Sequence, residues 1–118
     1  MIVETLDRTV LDELRGLGGE DLRDIVELYF ADVEVQIERL RSSLDDGDAQ
    51  SVAAAAHRIK GASLSIGAAR VAALASDTEV AGKEGDLTPC PELVQTLEGA
   101  LAPTRQALGV ELAVDLDD

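Results

Sequence analysis

One apolar stripe limits what this chain can become. Leu22, Val26, Phe30, Val33, Ile37, Leu40 and Leu44 recur at spacings of three and four residues. That alternation gathers all seven on one side of a helix, whereas a strand would send neighbours to opposite faces. The spacing predicts a long helix from about Glu20 to Leu44, with Asp21 and Asp24 in the first turn, where they complement the helix dipole. A helix that long and that one-sided must bury its stripe against other helices.

The rest of the chain supplies them. Leu6, Val10, Leu14 and Leu17 mark a short leading helix, capped by Asp7 and ended by Gly16, Gly18 and Gly19. Asp45-Asp46-Gly47-Asp48 is a turn, with Asp48 placed to cap a third helix over about Ala49–Ile66. Gly67 breaks the pattern. A fourth helix over about Ala68–Lys83 turns Val71, Leu74, Thr78 and Ala81 inward, and Gly85-Asp86 reverses the chain. Thr88-Pro89-Cys90-Pro91 opens a fifth, with prolines where the first turn tolerates them. Its inward positions are Val94, Leu97, Leu101 and Leu108, and Pro103 is expected to kink or interrupt it. Cys90 is expected at the surface. The expectation is an all-α, antiparallel up-down four-helix bundle with a short additional N-terminal helix. At 118 residues it forms one domain, over 1–112, followed by an acidic tail, 113–118, expected to fray over Val114–Asp118.

The charge is lopsided. The chain carries 24 acids against 10 bases, a formal net charge of −14. That field repels the phosphates of nucleic acid and the surface of an anionic membrane, so neither is an expected partner. No apolar run is longer than Val52–Ala56, which is far too short to span a bilayer, and Met1–Arg8 reads as no secretory leader. One cysteine makes neither an internal disulfide nor a thiolate metal cluster, and a cytoplasmic setting follows as the expectation. Yet no acid occurs from Ala49 to Ser76, while Arg58, Lys60 and Arg70 do. The only histidine, His57, lies in that window. Burial alone would have removed the bases too, so the gap points to an anion site near His57.

At 100° per residue, Val52, Ala55, Ala56, Ile59, Ala62, Ser63 and Ile66 form the buried arc of the third helix. His57, Lys60, Gly61 and Leu64 share another arc, pointing largely away from it. A glycine in mid-helix costs about 1 kcal/mol relative to alanine, in a chain that uses alanine freely. Gly61 therefore indicates a close approach beside His57 by a partner or a phosphate.

The run Ala56-His57-Arg58-Ile59-Lys60-Gly61-Ala62-Ser63-Leu64-Ser65-Ile66-Gly67-Ala68 resembles the signature of histidine phosphotransfer (HPt) domains. The likeness extends to Leu11–Leu14, Gly18–Leu22, the Asp45–Asp48 turn, and Glu79 through Leu87, some 100 residues in all. It implies that His57 takes a phosphoryl group from an aspartyl phosphate on a receiver domain and passes it to another. An imidazole at neutral pH offers a ring nitrogen lone pair for that step. The resemblance further implies transfer through Nε2, with Glu79, 22 residues on, orienting the ring at Nδ1. Lys60 would offset the phosphoryl charge, and Lys83 would serve the phosphate or pair with Glu79. Ala53, Leu64 and parts of the second helix would form the docking surface.

Implied partners are response-regulator receivers and a hybrid histidine kinase, met by a monomer. No cofactor or metal is expected, because the Mg²⁺ of such a transfer belongs to the receiver. One His and one Cys far apart give no ligand cluster. An autophosphorylating kinase core does not fit, since there is no glycine-rich nucleotide-binding segment and Arg58-Ile59-Lys60-Gly61 follows the histidine. An adaptor that docks a receiver without transfer is the alternative, and retention of both His57 and Lys60 argues for transfer.

Overall fold

The computed structural model describes residues 4–116; Met1–Val3 of the leading segment and Asp117 and Asp118 of the tail lie outside the described residues. Five helices follow in order: α1 (Arg8–Leu14), α2 (Gly19–Asp45), α3 (Ala49–Ile66), α4 (Ala69–Glu84) and α5 (Cys90–Leu112). Among the described residues there is no strand. Helices α2 to α5 form the up-down bundle, each packed on the next and α5 closing on α2, with α1 laid against α3 and α5.

The boundaries have local causes. Asp7 accepts from the Thr9 and Val10 amides, and Asp48 from the Ser51 amide, so both predicted caps are in place. Gly67 takes a left-handed φ of 80° to end α3, and its carbonyl accepts from the Asp7 amide at 2.8 Å. One glycine thus both stops the site helix and ties α1 to it. The α2 stripe is buried from Leu22 to Leu40, with Leu44 half-buried at the turn. Tyr29 and Gln36, beside the stripe, are buried too.

Four readings change. In α1 the fully buried residue is Leu11, while Leu17 is 44% exposed, because the turn at Leu14 carries Leu17 off the helical register. Cys90 is fully buried, since the first turn of α5 packs directly on the core. Pro103 does not interrupt α5, which runs through it. Its ring faces solvent, and Leu97, Ala100, Thr104 and Leu108 anchor the helix to the core on either side. Past the helix, Val114 and Leu116 pack on the core, with the Val114 amide bonded to the Gly109 carbonyl. Surface ion pairs Arg105–Glu27 and Arg41–Glu98 join α5 to α2, and Arg8 and Arg15 of the α1 segment both reach Glu111.

Helices α3 and α4 pack backbone to backbone where Gly82 faces Ala49 and Ala53. A Cβ on Gly82 would stand 2.8 Å from the Ala53 nitrogen and 2.9 Å from the Ala49 oxygen. Real Cβ atoms do not come that near to backbone, so glycine sets this spacing. It matters because the next turn of the same interface is the site.

Candidate functional site

His57 stands on the outer face of α3 with its side chain 67% exposed. Its Nδ1 lies 2.8 Å from Oε2 of Glu79, which projects from α4. Lys60, one turn on along α3, places Nζ 2.6 Å from Oε1 of the same carboxylate. Lys83, one turn on along α4, places Nζ 3.2 Å from Oε2. Three of the residues expected around the histidine, Lys60, Glu79 and Lys83, are thus brought together with it, and Glu79 is the hub. It is only 3% exposed, so its charge is satisfied by donors rather than by water. Lys60, read as part of an outward arc, instead leans over the α3–α4 seam and is half-buried against Glu79. Its long stem makes that reach.

The Lys60 hydrogen bond, opposed by burial and reinforced by Lys83 and His57, holds the Glu79 carboxyl down at about 2, against an ordinary 4.5. The folded value is below the unfolded one, so ionised Glu79 favours the fold. That contribution is whole above the unfolded value and drains away as pH falls from about 4.5 towards about 2. Urea denaturation over that window should show a smaller acid-induced loss of stability in Glu79→Gln than in the wild type. Equal losses would dismiss Glu79 as a source of acid sensitivity.

Gly61 has open space above it: a Cβ there would meet nothing within 4 Å. The fold itself therefore does not require this glycine, in contrast to Gly82. Leu64 is 56% exposed one turn along, and Ala53 is half-buried one turn back. Ser63 of the same run points inward, and its Oγ lies 2.7 Å from the Tyr29 hydroxyl. That bond pins α3 to α2 beneath the site, and burial pushes the Tyr29 hydroxyl up to about 12. Thr78 is also buried, and its hydroxyl donates to the Leu74 carbonyl, so it adds no unpaired polar group to the core.

Sequence reasoning expected parts of the second helix at the site but named no residues on that flank. A groove between α2 and α3 borders His57, lined by Gln36, Arg39, Ser43, Ser51, Ala54 and Arg58. Arg58 Nε lies 3.5 Å from Asp32 Oδ1, and Gln36 lines the same groove beside it. Gln36 and Arg39 sit on the edge of α2 beside its apolar stripe, and only the pairing of α2 with α3 assigns that edge to the site. Gly82 was missed as well, although the mid-helix glycine argument used for Gly61 applied equally to it.

Residues 24–107 match the Hpt domain family along most of the bundle. The chain belongs to that family. The Hpt fold is also found in the crystal structure of histidine-containing phosphotransfer protein B (HptB) from Pseudomonas aeruginosa PAO1. The two align with a TM-score of 0.83 and 28% identity, over 92% of this chain and 95% of that one. No curated protein sequence matches the chain. Hpt domains are phosphocarriers of two-component phosphorelays, so histidine phosphotransfer is this protein's function at the level of the family. Among the described residues no helix is long and apolar enough to cross a membrane, and no three His, Cys, Asp or Glu side chains gather as a metal cluster.

Proposed function

We propose that His57 carries the phosphoryl group, accepting it at Nε2 from an aspartyl phosphate of a receiver domain and passing it to another receiver. The observation that carries this reading is the 2.8 Å contact between His57 Nδ1 and Glu79 Oε2. A carboxylate accepts only, so Nδ1 bears the ring's proton and the lone pair lies on Nε2. The ring is exposed, so that lone pair faces an incoming partner. Lys60 and Lys83 each keep donors beyond the one given to Glu79 and supply positive charge beside the ring. The site needs no metal of its own in this scheme. The receiver's pocket brings the activated acyl phosphate, and this chain brings a positioned nucleophile. A receiver labelled with ³²P should lose its label to this protein, and the label should be stable to alkali and labile to acid, as a phosphoramidate is. No transfer from any receiver of the same genome would favour the adaptor reading.

Docking is assigned to the outer face of α3 and the adjoining edge of α2. Gly61 lets a partner's backbone approach beside His57, and Leu64 offers an apolar contact. On α2, Leu28 is 70% exposed one turn before Asp32, on the side that Arg58 reaches. A modest apolar patch of this kind suits a transient complex. Gly61→Gln should weaken receiver binding while leaving the helical circular dichroism intact, because its side chain enters open space. Unchanged binding in titration calorimetry would remove the close-approach role.

A further inference from the structure

Two arginines beside the histidine are short of acid. Arg39 of α2 and Arg58 of α3 line the groove that borders His57. On a helix, residues three and four apart are neighbours in space. Around Arg39 these are Val35, Gln36, Ser42 and Ser43, and around Arg58 they are Ala54, Ala55, Gly61 and Ala62. None is acidic. On the same α2, Arg23 has Glu20 and Glu27 at those spacings, and Arg41 has Glu38 and Asp45. A chain with 24 acids thus keeps them away from these two arginines.

The fold brings up one carboxylate. Asp32 Oδ1 lies 3.5 Å from Arg58 Nε, and the Arg58 side chain is 63% exposed, so the pair is a loose one. The terminal nitrogens of Arg58 keep donors to give. Among the described residues no carboxylate pairs with Arg39. Gln36, only 2% exposed, sets its side-chain amide between the two guanidinium groups. An amide carries no net charge, so it neutralises neither. Two cations, one anion and a buried neutral amide leave the groove one negative charge short.

We propose that Arg39 and Arg58 form a carboxylate-reading pair that selects receivers by an Asp or Glu side chain on the receiver's docking face. This rests on receiver docking at this face and not on the chemistry at His57. A guanidinium presents a planar fork of N–H donors that matches a carboxylate, which an ammonium does not. Apolar contacts flank the pair along the same side of α2. Val35 is 50% exposed one turn before Arg39, and Leu28 is 70% exposed one turn before Asp32. A partner surface that brings apolar side chains and one acid satisfies both. Nucleic acid would meet the same arginines only on a chain of net charge −14, which repels a polyanion. The pair acts on encounter and register, because charges across an interface decide which partner docks and how fast.

The experiment measures docking apart from chemistry. The probe is an unphosphorylated receiver domain of the same genome that exchanges label with the full chain, titrated calorimetrically in about 0.1 M salt. Arg39→Glu and Arg58→Glu should each weaken binding by about tenfold or more. Arg39→Lys should bind between wild type and Arg39→Glu, since it keeps the charge without the fork. Arg70→Glu makes the same change in net charge from an exposed position at the start of α4, outside the groove, and should weaken binding by about threefold at most. In about 1 M salt the screening length falls from about 10 Å to about 3 Å, and the gap between wild type and the two groove variants should shrink to about threefold. The deciding arm lies on the receiver. With its surface Asp and Glu residues changed singly to Lys, one such receiver should bind Arg39→Glu more tightly than it binds the wild type. Equal losses in Arg70→Glu and the groove variants would reduce the effect to net charge and overturn the proposal. So would a set of receiver variants in which no acid couples to Arg39 or Arg58. Transfer that stops in the groove variants while binding holds would also overturn it, by placing the arginines in the reaction rather than in docking. If no receiver binds the wild type, receiver docking fails and this proposal with it. Label that persists in His57→Gln would overturn the phosphoacceptor assignment alone and leave the arginine pair standing.

Discussion

His57→Gln is expected to reduce phosphoryl acceptance to background while leaving the bundle folded. Glutamine keeps a donor near Glu79 and similar bulk, but its amide nitrogen has no lone pair available for attack. The side chain it replaces is 67% exposed and its close polar contact is with Glu79, so little packing is lost. Substitutions at such positions move stability by about 0.5 kcal/mol or less. The measurement pairs transfer from a ³²P-labelled receiver with a thermal melt of the same preparation. A variant that still takes label would refute the role of His57, and one that takes none because it has unfolded would reveal itself in the melt.

The second large effect lies in the fold and reaches the site through it. Gly82→Ala should destabilise the protein by about 1–3 kcal/mol, because the added methyl meets the backbone of Ala49 and Ala53 rather than a yielding side chain. At this chain length that is a fall of roughly 4–12 °C in melting temperature. Helix propensity works the other way, favouring alanine by about 1 kcal/mol, so the clash must exceed that to show. Gly61→Ala is the matched comparison: the propensity gain is the same and nothing stands within 4 Å, so it should stabilise by up to about 1 kcal/mol. Opposite signs from two mid-helix glycines would separate a glycine required by the fold from one the fold leaves free. Gly82 lies one turn from Glu79 on α4, so forcing α3 and α4 apart should also loosen the His57–Glu79 contact and slow transfer. A stable Gly82→Ala protein would show that the two helices can separate without penalty.

Much of the site is legible along one helix because its period is local. His57, Lys60, Gly61 and Leu64 share a face through spacing alone, and the acid-free stretch around them marks that face chemically. The resemblance of this run to the family signature adds the role of His57, which periodicity could not supply. Cys90 and Leu11 show where local reading stops. Cys90 opens α5 and Leu11 is the middle of the short α1, and in each case burial depends on which neighbouring element covers that turn. Pro103 shows the same limit, since the helix persists through it on the strength of contacts with the core that no local rule contains.

The helices, their caps at Asp7 and Asp48, the break at Gly67 and the outward face of the imidazole are all readable along the chain, because each depends on chemistry within a few residues. What surrounds that imidazole depends on the packing of the bundle. It set Glu79 as a buried hub for His57, Lys60 and Lys83, brought Gln36 and Arg39 to the other side, and fixed the α3–α4 spacing at Gly82. The reason is physical. Hydrogen bonds of 3 Å and the burial of a charge depend on how two helices meet, and that relation is settled by packing across the whole core.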